Sequence, residues 1–128
     1  MEFPEELKYT PTHEWARRTG NRVRVGITRY AQQEISDVVY VELPKPGKEA
    51  VKGKGLTVVE SVKAAFDIYA PVSGSITAVN KALETEPALV NRDPYGDGWL
   101  LEIDLKDPSE WESLLGAPEY QSQCTTTH

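Results

Sequence analysis

Apolar and polar side chains alternate through "RVRVGIT" (22–28), which puts Val23, Val25 and Ile27 on one face with the period of a half-buried strand. The period then changes. In "TRYAQQEIS", Thr28 can cap a short helix with Ala31 and Ile35 four apart on its inner side, and Ser36 and Asp37 suit its exit. "DVVYVELPKPG" (37–47) is a β-branched and aromatic run that two prolines close. After the glycine turns of "KEAVKGKG" come "LTVVESV" (56–62), "FDIYAPV" (66–72) and "GSITAVN" (74–80), three strands with tight connections. "ETEPALVNRDPYGDG" has room for one helical turn and two turn signals before "WLLEIDL" (99–105) supplies a further strand. Near the end, Asp107 caps, Pro108 takes the first helical position and Glu110 follows. Trp111, Leu114 and Leu115 make an apolar face for a helix over about 108–115, and Gly116 and Pro118 stop it. A polar tail, about 121–128, follows. The pattern predicts a mainly β fold in one domain spanning 1–128, with the terminal helix covering part of the core.

Composition narrows the possible partners. In 128 residues, 39% of them hydrophobic, one core is expected. Twenty acidic residues against fourteen basic ones give a net charge of -6, with no Lys/Arg cluster in the sequence, which argues against nucleic acid and anionic membrane as partners. No apolar run approaches the roughly 20 residues that cross a bilayer. "MEFPEELKYT" lacks the basic start and apolar middle of a secretory signal, and the single cysteine, Cys124, cannot form an internal disulfide. The expected location is the cytoplasm for a bacterial-type chain, or the mitochondrial matrix for a mature eukaryotic form.

Residues for catalysis are missing. His13 and His128 lie nearly a chain length apart without a metal-ligand partner at the usual spacing, so no metal is expected. No phosphate loop, dinucleotide fingerprint or nucleophile elbow occurs. What stands out is Lys63, placed between two strand-like runs that fit a hairpin with "VKAA" at its tip. A lysine there can be a solvated charge that keeps sheet edges apart, or a fixed and reachable site of modification.

The residues around it resemble a known family. "ESVKAAFDIYAPVSGSI" strongly resembles the lipoyl-lysine hairpin of glycine cleavage system H proteins. "KYTPTHEW", "VGIT" followed by "YAQ", "DVVYVELP", "VNRDPYGDGWL" and "ESLLGAPEY" occur in that family's order, so the likeness runs from about Tyr9 to Tyr120. The resemblance implies a barrel-sandwich hybrid of the lipoyl/biotinyl-domain type, with short helices and a C-terminal helix. It implies lipoate in amide linkage on Lys63, with Glu60 as the acidic residue that lipoylating enzymes read. It implies a non-catalytic carrier of the aminomethyl group of glycine, passed from a pyridoxal-phosphate glycine decarboxylase to a tetrahydrofolate-dependent aminomethyltransferase and reoxidised by dihydrolipoyl dehydrogenase. Glu14, Thr12 and Ile27 match positions lining the family's arm pocket, and Asp67 matches an acidic position beside the hairpin. His13 is expected to be structural and Trp15 to lie in the core.

This chain departs from the family pattern twice. Ser36 stands where glycine is common, at a turn expected to need positive φ, and Phe66 stands where a small residue is usual, beside the arm. Other carriers fit less well. Acyl-carrying lipoyl domains typically have aspartate before the lysine, where this chain has "SVK", and biotin carriers flank it with methionines, whereas the only methionine here is Met1. A lipoate donor that hands its cofactor to other proteins, and an unmodified binding module, both stay open on the sequence.

Overall fold

A computed structural model describes residues 3–126. Nine antiparallel strands form two sheets: β1 (Lys8–Tyr9), β2 (Glu14–Thr19), β3 (Arg22–Ile27), β4 (Val38–Glu42), β5 (Glu49–Ala50), β6 (Gly55–Ser61), β7 (Ala65–Tyr69), β8 (Gly74–Val79) and β9 (Leu101–Leu105). The larger sheet runs β1-β2-β3-β9-β8-β5 and the smaller β4-β6-β7. Their facing residues close a shared core in which Val23, Val25, Val59, Val72, Leu101 and Ile103 have no exposed surface. The alternation read from 22–28 therefore points inward as expected. This mainly β architecture with short helices agrees with a lipoyl-domain-like barrel-sandwich.

Three strands were not foreseen. β1 and β5 have two residues each, too few to show a period. β2, "EWARRT", hides its alternation because both of its faces are covered at its start: Ala16 points into the main core and Trp15 into a second apolar cluster. That cluster gathers Leu7, Tyr9, Trp15, Ala117, Tyr120 and Cys124. Trp15 is core, as expected, and its indole N–H donates to the Pro94 carbonyl at 2.8 Å.

The C-terminal region corrects the sequence reading. The first helix, α1 (Arg29–Ile35), is capped by Thr28, whose hydroxyl accepts the Ala31 N–H; a 3₁₀ turn (Lys81–Glu84) and α2 (Leu89–Arg92) follow later. The helix expected over 108–115 is shorter, α3 (Pro108–Glu112), and the stretch read as a polar tail belongs to α4 (Ala117–Thr126). Asp107 caps α3 by accepting the Ser109 N–H at 3.0 Å. Glu110 does not close a capping box, because its carboxylate accepts from the Ser73 N–H and hydroxyl at 2.7 and 3.0 Å and ties α3 to the start of β8. Pro118 fails to stop the chain because it occupies the first turn of α4, where a missing N–H costs nothing. Glu119 accepts the Gly116 N–H at 2.9 Å, and Ala117, Tyr120 and Cys124 supply a buried stripe that a polar composition conceals.

Ser36 adopts the positive φ expected of this turn although it is not glycine. It ends α1 at φ 71°, ψ -154°, a region that is essentially glycine's alone, while its N–H donates to the Gln32 carbonyl at 3.1 Å. Ser36→Gly is thus expected to raise unfolding stability by about 1 kcal/mol. Chemical denaturation checks this; an equal or lower midpoint would show that the serine carries no strain.

Candidate functional site

β6 and β7 pair as a hairpin with Glu60 opposite Ala65, and Val62, Lys63 and Ala64 make its bend. Ser61 organises that bend. Its hydroxyl accepts the backbone N–H groups of Lys63 and Ala64 at 3.1 and 3.2 Å, and its backbone N–H donates to the Ala64 carbonyl at 2.9 Å. This short-range bonding by a serine competes with the ladder and ends it, fixing the next residues as a turn. Sequence reasoning missed Ser61, although the signal, a serine two before a hairpin tip, was present.

Lys63 is exposed at the tip, and its Nζ donates to the Glu34 carbonyl at 2.9 Å. That carbonyl lies in the last turn of α1, where main-chain oxygens lack helical partners and a cation is favoured. The contact directs the lysine towards a groove of about 400 Å³ between α1 and β7. Ile27, Ala31, Ile35, Phe66 and Ile68 give the groove apolar walls, and Thr12, His13, Glu34 and Asp67 give it polar edges. Four sequence candidates, Thr12, Ile27, Phe66 and Asp67, are thus brought together. The contribution of α1 was not anticipated, because its inward residues read only as a core stripe.

Glu14 sits apart from that lining. It is 1% exposed, with one carboxylate oxygen accepting from the hydroxyls of Thr10 and Thr12 at 2.5 and 2.6 Å and the other from the Tyr69 N–H at 3.1 Å. It borders a second cavity of about 320 Å³, lined among others by Tyr9, Lys52, Ala70, Pro71 and Leu114, and Thr12 separates the two spaces by lining both. Burial raises the Glu14 pKa above the ordinary carboxylate value, and the hydrogen bonds it accepts from Thr10, Thr12 and Tyr69 oppose this. A raised folded-state pKa contributes stability that is present at low pH and lost as pH rises through it. Glu14→Gln should remove that loss, since a glutamine can give its oxygen to Tyr69 and its amide to the two hydroxyls. Thermal midpoints from about pH 4 to about pH 8 should fall less steeply in the variant than in the parent, and parallel curves would contradict the assignment.

His13 is held rather than poised. Its φ is 77°, its Nδ1 lies 2.6 Å from the Tyr120 hydroxyl, and its ring packs on Tyr30 at 4.7 Å. Burial lowers its pKa, and Glu34 acts in the opposite sense. Among the described residues no three His, Cys, Asp or Glu side chains converge as a metal site, and no helix is long and apolar enough to cross a membrane. His128 lies outside the described residues.

A lysine at a fixed hairpin tip, beside an apolar groove with acidic edges, can carry an acyl group and shelter it. The model of the family described as glycine cleavage H-protein matches residues 7–127. The chain belongs to that family. A glycine cleavage system H protein of Thermus thermophilus is 54% identical over 121 residues, 94% of each chain. The mitochondrial H protein of Pisum sativum is 49% identical over 118 residues, 92% of this chain and 72% of the relative. Among solved structures, the crystal structure of the H protein from Mycobacterium marinum superposes with a TM-score of 0.85 at 37% identity, covering 96% of this chain and 99% of the other. H proteins are the carrier component of the glycine cleavage system, and the fold expected from that likeness is the fold observed here.

Proposed function

We propose that this chain is the lipoyl carrier of the glycine cleavage system, with lipoate joined in amide linkage to Lys63. One observation supports the reading above the rest: the Lys63 amine is exposed at a hairpin tip and rests on the carbonyl at the mouth of a largely apolar groove. The residues present fit that group. Acylation removes the ammonium charge, so a neutral arm can lie along Ile27, Ala31, Ile35 and Phe66 without the cost of burying an ion. When attached, lipoate supplies a disulfide that takes up the aminomethyl group of glycine and a dithiol that is later reoxidised.

The chain's own residues then hold and protect. Asp67 and the side chain of Glu34 offer negative charge to a cationic end of the arm, and Thr12 offers a hydroxyl between the groove and the Glu14 cavity. Phe66 covers the arm's apolar length where a smaller residue would leave it open to water. Glu60, half-buried on β6 two residues before Val62, serves as a mark for lipoylating enzymes. The partners in this reading are the glycine decarboxylase, the aminomethyltransferase, dihydrolipoyl dehydrogenase and the lipoylating enzymes, met in the cytoplasm or the mitochondrial matrix. In this reading the chain carries the group and leaves the catalysis to those enzymes.

Lipoylated protein incubated with glycine decarboxylase and glycine labelled at its α-carbon tests this directly. Label on the protein supports the carrier, and acyl transfer from a 2-oxo acid dehydrogenase in its place would favour the acyl-carrying alternative.

A further inference from the structure

β4 breaks its own alternation. Its register on β6 shifts between Val38, opposite Ser61, and Tyr40, opposite Glu60, so that Val39 is an extra residue. A bulge of this kind redirects side chains, and here it leaves the consecutive residues Val39 and Tyr40 both facing solvent, 53% and 52% exposed, with Val38 and Val41 still buried on either side. Val62 adds to them at 69% exposed, its N–H held by the Asp37 carbonyl at 3.0 Å just before β4 begins. Three of the four large apolar side chains exposed among the described residues therefore lie on one margin of the smaller sheet, next to Lys63. β4 is also an edge strand, where exposed apolar residues are a liability that most proteins avoid.

The surroundings are acidic. Glu34 lies on α1, Asp37 just before β4, Glu42 on β4, and Glu60 and Asp67 on the hairpin, and within 34–43 and 60–67 Lys63 is the only basic residue. Acylation of that lysine removes the one cation within these segments and leaves Asp37, Glu42 and Glu60 beside the apolar patch, with Lys48 sharing a pocket with Glu42 and Asp67. An apolar centre with such a rim matches a surface that is apolar at its middle and basic at its border.

We propose that Val39, Tyr40 and Val62, with the acidic rim of Asp37, Glu42 and Glu60, form the seat of the enzyme that acylates Lys63. This rests on the carrier reading above and goes beyond it by assigning the contact surface. The choice of occupant follows from the position of the reacting atom. The acylating enzyme brings an activated lipoyl ester, a mixed anhydride or thioester, onto Nζ itself. The amine lone pair forms the C–N bond, the leaving group departs with its electron pair, and the spare amine proton goes to solvent. Its surface must therefore meet the residues beside the tip. Enzymes that work on the distant sulfurs stand off by the length of the arm.

The test uses the full, unmodified chain with a lipoate-protein ligase, ATP and lipoate, following the mass increment with time. Tyr40→Ala and Val62→Ser are expected to lower kcat/KM on the order of tenfold or more, mainly through KM, as loss of a central contact residue does. Glu42→Lys should raise KM at low salt, and the difference should fade as salt screens the rim. Thermal midpoints within a few degrees of the parent show that the variants fold. Parent-like kcat/KM in both apolar variants overturns the seat while leaving the carrier reading intact. Failure of the parent itself to be acylated overturns both. An equal fall in glycine-dependent loading of fully acylated variants overturns the choice of occupant.

Discussion

Lys63→Arg is expected to abolish glycine-dependent loading of the protein. The substitution keeps a positive charge and a long stem at an exposed tip, so the hairpin, held by Ser61 and the β6–β7 ladder, stays intact. What disappears is a free amine. A guanidinium stays protonated and delocalised throughout the physiological range and offers no lone pair for acylation, whereas lysine exchanges its proton readily enough to form an amide. The expected effect is all-or-none: no mass increment after treatment with a ligase and lipoate, and no label from glycine after addition of the decarboxylase. Residual loading of the arginine variant at even a few per cent of the parent would mean that another group carries the cargo.

Gly74→Ala is expected to be the most damaging single methyl addition to the fold. Gly74 opens β8 between Ala50 on β5 and Leu105 on β9, at φ 155°. A Cβ placed there would overlap the Asp104 carbonyl oxygen and lie 2.9 Å from Ile103 Cγ2. Backbone cannot swing aside as a side-chain tip can, so β8 and β9 must separate locally, at a cost of about 3 kcal/mol or more. A thermal midpoint lower by about 10 °C or more is the corresponding observation. A loss below about 1 kcal/mol would show that the strand pair yields easily at this point.

Much of this molecule is legible from its sequence because its core strands obey period two. Val23, Val25 and Ile27 announce β3, and "TVVES" and "FDIY" announce a hairpin whose tip is a lysine. Legibility fails where two layers cover one strand or where buried groups are polar. Trp15 and Ala16 are both fully buried on successive positions of β2, so no alternation survives. α4 buries Ala117, Tyr120 and Cys124 from a stretch that is mostly polar in composition, and Pro118 reads as a stop although it stands at a helix start. The groove was only half visible. Thr12, Ile27 and Asp67 were picked out by resemblance to the family and Phe66 as a departure from it, while Glu34 and Tyr30 came into view only once α1 packed beside β7. Glu14, expected to help line the arm pocket, is buried among Thr10, Thr12 and Tyr69 at the border of the neighbouring cavity, a placement that spacing along the chain has no means of encoding.

The central claim concerns one nitrogen atom, so the decisive measurement is made on that atom. Protein produced in cells that hold a lipoylation system is digested, and the peptide bearing Lys63 is sequenced by tandem mass spectrometry. The account predicts one lipoyl group, confined to the Lys63 side chain and reducible to the dithiol. A Lys63 peptide that remains unmodified under these conditions, or a lipoyl group found on a different lysine, contradicts it.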